Sequence, residues 1–184
     1  MLVLVSWLFW PSASQQTPNG SNGTGYPQDV PYVPYSTVPS TGSGGTDQPN
    51  VRSVAVTARD GQMYEVRDFL NNGETVKDAV NPGYFILAGD AGYCLANGQC
   101  IKGAPSDEFF ISYNQRQVFF NISLIKEPLA QSRKNAEAFL MDRLGLNQTQ
   151  MCTLDYYVTV SSSVNPVYAG KNLGWSFCPG AVQL

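Results

Sequence analysis

The chain has 184 residues, a formal net charge of -3, 14% charged residues and no histidine. The missing basic excess argues against nucleic-acid binding. The missing histidine removes the commonest general base, the usual partner of a catalytic Ser or Cys, and the commonest zinc ligand.

Met1 to Trp10 is apolar apart from Ser6. It is too short to cross a bilayer, which takes about 20 residues. Its length fits a targeting segment, and Pro11-Ser-Ala-Ser14 resembles the small-residue stretch before a cleavage site. Residues 1–10 are therefore read as a targeting or anchor remnant, a possible tie to a membrane. Residues 11–50 are rich in Pro, Gly, Ser and Thr, and only Asp29 and Asp47 are charged. Such a tract buries too little apolar surface to offset its ordering entropy, so it is read as a disordered linker. Its Pro-Tyr steps around Val30–Tyr35 favour extended polyproline II, which suits a spacer or a docking peptide.

The remaining residues, 51–184, are the size of one ordinary domain. Val51 to Ala58 and Met63 to Arg67 flank an Asp60-Gly61 turn and predict a hairpin. Asp68 to Val80 has no clear period. Tyr84 to Ala88 reads as a short buried strand after the Asn81-Pro82-Gly83 turn. A Gly-rich loop with Cys94 and Cys100 follows. Glu108 to Tyr113 and Val118 to Ile125 predict a second hairpin, in which Val118, Phe120, Ile122 and Leu124 form a core face.

The clearest element is a helix over 128–144. Pro128 stands in its first turn, Glu127 at its positive end, and Leu129, Ala136, Leu140 and Leu144 line one stripe. Arg133 and Glu137 are expected as an i,i+4 pair on the wet side. Gly145 and Leu146 predict a left-handed stop. Leu154 to Val160 alternates as a strand, and a last strand is expected around Trp175 to Cys178 after a long polar loop. The expected fold is α+β: two layers, a twisted antiparallel sheet and one main amphipathic helix, stapled by disulfides.

Cys94, Cys100, Cys152 and Cys178 lack zinc-knuckle spacing and read as two disulfides of an oxidising compartment. Three pairings are possible. Cys94–Cys100 and Cys152–Cys178 are favoured, the first stapling the Gly-rich loop and the second bracketing two strands. Asp90, Asn97, Asp107 and Glu108 could gather round a calcium ion, though solvated loop acids give the same pattern. No catalytic residue, cofactor or metal site is assigned. Tyr156, Tyr157, Tyr168 and Trp175 are the candidate binding face, suited to a glycan or a peptide, against the plainer reading of core and cross-strand pairs. Asn19, Asn22, Asn121 and Asn147 open glycosylation sequons.

The strings Asn81-Pro-Gly-Tyr-Phe-Ile-Leu-Ala-Gly89, Phe119 to Leu146 and Val164 to Gly180 resemble a family of small extracytoplasmic proteins from candidate bacterial phyla. The resemblance spans roughly residues 51–184. It implies an N-terminal membrane segment, a low-complexity linker and a C-terminal domain with cysteines, and it implies no activity. The expected function is a non-enzymatic, surface-displayed domain on a flexible stalk, binding an envelope protein or glycan. A pilin-like structural subunit and a carboxylate-based envelope hydrolase are the alternatives.

Overall fold

The computed structural model describes residues 52–184. The segment expected to be a targeting remnant (1–10), the expected linker (11–50) and the sequons at Asn19 and Asn22 lie outside them. The described residues form an α+β fold with one main helix and two disulfides.

Strands β1 (Ser53–Thr57) and β2 (Met63–Arg67) form the expected hairpin across Asp60-Gly61. The period-free stretch that follows contributes only β3 (Val76–Lys77). A five-stranded sheet runs β3, β4 (Tyr84–Ala88), β7 (Phe109–Asn114), β8 (Phe119–Leu124), β9 (Tyr156–Val160). Between β4 and β7, β5 (Asp90–Cys94) and β6 (Cys100–Lys102) pair into a small arm. The arm's return strand lies against β4, where Ala104 N–H donates to Leu87 O (3.0 Å). Gly103 is required there, because a Cβ would lie 2.6 Å from the Ala88 nitrogen. Buried Asp78 fixes the turn before β4 by accepting Val80 N–H (2.8 Å) and Asn81 N–H (3.0 Å).

Helix α1 (Leu129–Leu144) sits close to its expected bounds. Pro128 is extended and takes the cap position, one residue earlier than expected. The Glu127 carboxylate accepts Leu129 N–H (2.8 Å), satisfying a donor that Pro128 has no side chain to cap. At the other end Gly145 is left-handed (φ 71°), and Leu146 N–H closes back on Met141 O (3.2 Å). A short helix, α2 (Gln148–Thr153), follows at once. Its capping box joins Asn147 and Gln150 reciprocally.

The expected antiparallel sheet needs one correction. β9 runs parallel to β8, with Ile122 opposite Val158. The α1–α2 segment is the crossover that a parallel connection requires. α1 and the β1–β2 hairpin share one side of the sheet with the main core, which contains Phe69, Ile111, Phe120, Ile122, Leu140, Val158 and Trp175. Phe69 meets Tyr113 edge-on at 5.1 Å between centroids.

The last strand expected at Trp175–Cys178 is absent. Those residues turn, with Cys178 N–H donating to Trp175 O (2.9 Å). The segment from Leu173 to Leu184 is instead a strap across α1. It covers Arg133 and Glu137, whose side chains are 5% and 6% exposed, so the expected wet-side pair is buried. Arg133 donates to the backbone oxygen of Val182 (2.8 Å), and Glu137 accepts from the Ser176 hydroxyl (2.7 Å) and the Ser176 N–H. The Cys152–Cys178 disulfide fastens the same strap, and Cys94–Cys100 closes the tip of the arm.

Candidate binding face

The register of β7, β8 and β9 sorts their side chains onto two faces. Phe109, Ile111 and Tyr113 stand opposite Leu124, Ile122 and Phe120, and Val158 and Val160 continue that side. All eight belong to the core. The other side presents Phe110, Ser112 and Asn114 from β7, Phe119, Asn121 and Ser123 from β8, and Tyr157 and Thr159 from β9. No side chain of this grid is charged.

Phe110, Phe119 and Tyr157 are half-buried and take no part in the main core cluster. Asn121, Ser123 and Thr159 are also half-buried. None of the three has a side-chain hydrogen bond to another described residue, and none is an orphaned buried group. Their polar atoms therefore face solvent with spare hydrogen-bonding capacity. Ser112 and Asn114 differ, since both are buried, and Asn114 is tied into the β7–β8 turn through Arg116 N–H (3.0 Å) and Gln117.

The same register divides the four aromatic residues expected to form a binding face. Tyr157 lies on the grid, its hydroxyl donating to Gly170 O (3.2 Å) at the β9 edge. Tyr156 points to the core side, packs against Trp175 (5.2 Å between centroids) and is covered by the Arg59 guanidinium. Trp175 is fully buried, so it belongs to the core and to no accessible face. Tyr168 stands in the loop after β9, with Lys171 over its ring. The residues missed in the sequence are Phe110, Phe119, Asn121, Ser123 and Thr159. Alternation in Val118–Ile125 marks Phe119, Asn121 and Ser123 as off-core. Nothing local reveals that Tyr157 and Thr159 stand beside them.

The loop acids do not converge. Asp90 pairs with Lys102 (2.8 Å) and Asp107 with Lys126 (2.7 Å). The hydrogen bond and charge of each lysine hold both carboxyls below their ordinary range. Glu108 accepts from Asn135 on α1, and Asn97 accepts Gln99 N–H (3.0 Å) within its own turn. Among the described residues no cluster of three or more His, Cys, Asp or Glu could hold a metal ion.

Open clefts lie elsewhere on the described surface. One, of about 460 Å³, lies between β2 and the end of α1, where Arg67 pairs with Asp142 (3.3 Å) and Arg143 with Glu74. Another, of about 560 Å³, runs along Gly103–Asp107 beside Asp90 and Lys102. The cited ion pairs leave opposite charges matched across both. Comparison with known protein families, curated proteins and solved structures finds no match.

Proposed function

We propose that residues 51–184 are the binding domain of an extracytoplasmic, surface-displayed protein, carried on the 11–50 linker, with no catalytic role. The domain attaches to another envelope or surface component through the β7–β8–β9 face. The observation that carries this reading is the grid itself. Three half-buried aromatic rings lie outside the core around the Asn121 amide and the Ser123 and Thr159 hydroxyls, which have no hydrogen-bond partner among the described residues. A face serving stability alone has no use for that unspent capacity. Two disulfides are consistent with an oxidising, extracytoplasmic location.

The test is co-sedimentation of the full chain with isolated bacterial envelopes, with the double variant Phe119→Ser/Tyr157→Ser beside it. Binding by the parent chain and loss in a folded double variant is the expected result. Equal binding by both proteins rejects the face. No binding by either, together with turnover of an envelope polymer, rejects the non-enzymatic reading.

A further inference from the structure

The chemistry of the β7–β8–β9 face narrows its occupant, and the inference rests on the binding role just proposed. We infer that the face takes a neutral polysaccharide. The argument begins with charge. The eight grid side chains include no Asp, Glu, Lys or Arg. The residue beside Phe119 just before β9 is an acid, Asp155, whose carbonyl accepts Phe120 N–H (3.0 Å), so the face offers no counter-charge to an acidic polymer or an anionic lipid surface. What it offers is aromatic surface and neutral donors and acceptors, interleaved at neighbouring positions. Asn121 stands opposite Tyr157, and Ser123 stands between Phe110 and Thr159.

A sugar ring is the complementary object. Its C–H face is apolar and stacks on an aromatic ring. Its rim carries hydroxyls that exchange hydrogen bonds with amides and alcohols. A chain of such rings repeats this alternation, and strands about 4.8 Å apart repeat it across the sheet. A protein partner would instead want a contiguous desolvated anchor pocket, and here polar residues separate the aromatic ones. Addition of a peptide strand needs a free sheet edge. At the β9 edge Val158 already bonds Asn172 and Leu173, and at the far edge β3 has only two residues. Phe119 and Tyr157 are the stacking platforms, and Asn121 between them is the group that reads ring hydroxyls.

The test is affinity electrophoresis of the full chain in gels containing a neutral glucan, a neutral N-acetylhexosamine polymer or polygalacturonate, with tetrasaccharide titrations followed by NMR. Phe119→Ala, Tyr157→Ala and Asn121→Ala are compared with the parent chain. All three positions lie outside the main core, and thermal melting checks that each variant folds. The expected result is retardation by a neutral polymer and none by polygalacturonate, with at least about tenfold weaker binding in Phe119→Ala and Tyr157→Ala. Retardation by polygalacturonate alone, or neutral binding that the folded variants leave unchanged, overturns the inference. Envelope binding that needs Phe119 and Tyr157 but is matched by no neutral polymer also overturns it, while the binding role itself stands.

Discussion

Arg133 and Glu137 are a charged pair carried into the interior of the described fold. Both are buried, their charged atoms are 3.9 Å apart, and Arg133 Nε has no hydrogen-bond partner. Burial pulls the Arg133 guanidinium below its ordinary pKa, and the Glu137 charge opposes that pull. Removing one member of such a pair strands the other. Arg133→Met is expected to cost about 3 kcal/mol in urea unfolding, and Arg133→Met/Glu137→Leu to cost less than the two single changes together. The helical spacing of the pair was legible in the sequence, but its environment was not. A helical wheel shows which residues share a side and is silent about a segment returning from 40 residues away. Asp78 gives a second residue-scale prediction. Its burial would raise the carboxyl, but hydrogen bonds from Tyr93, Asn81 and Val80 outweigh it and hold the pKa below the ordinary 3.8. A depressed folded-state pKa contributes stability above the unfolded value and loses it as pH falls through the folded one. Unfolding free energy should therefore drop on acidification below about pH 4, and Asp78→Asn should flatten that slope in a pH series of denaturant melts.

At the scale of elements, the two disulfides differ in what they constrain. Cys152–Cys178 spans 26 residues and pins the strap to the end of α2, whereas Cys94–Cys100 spans 6 and closes the tip of an exposed arm. The chain-entropy relation gives about 3.5 kcal/mol for the first and about 2 kcal/mol for the second. Replacing the Cys152–Cys178 pair by serines should lower the melting temperature more than replacing Cys94 and Cys100. Asn147→Ala removes the α2 capping box and should cost about 1 kcal/mol in the same assay. The ends of α1 were readable because Gly145 and Leu146 act locally. The Asn147-x-x-Gln150 spacing held the same kind of signal for α2. Strand β9 was readable as a strand from its alternation, but its partner and direction were not. Period two fixes which residues share a face, and it says nothing of which neighbour the strand joins. That limit also hid the grid, which exists only because β9 lies beside β8.

At the scale of the whole molecule, both edges of the sheet are poor templates for strand addition. The β9 edge is occupied at Val158 by Asn172 Oδ1 (3.1 Å) and Leu173 N–H (2.7 Å), and β3 is short. Light scattering of the purified chain should give a concentration-independent monomer mass. Ordered oligomers or filaments would instead favour a structural-subunit role. The parallel β8–β9 pair also has a kinetic consequence. Neither strand can zip onto the other from a tight turn, since two helices must first be gathered between them. Closing such a distant pair spends loop entropy before any ladder bond returns it, which slows folding relative to local hairpins. The β1–β2 hairpin should therefore acquire hydrogen-exchange protection early and β9 late. The aromatic grid would then be the last part of the surface to exist, so a partly folded chain lacks the face on which recognition depends.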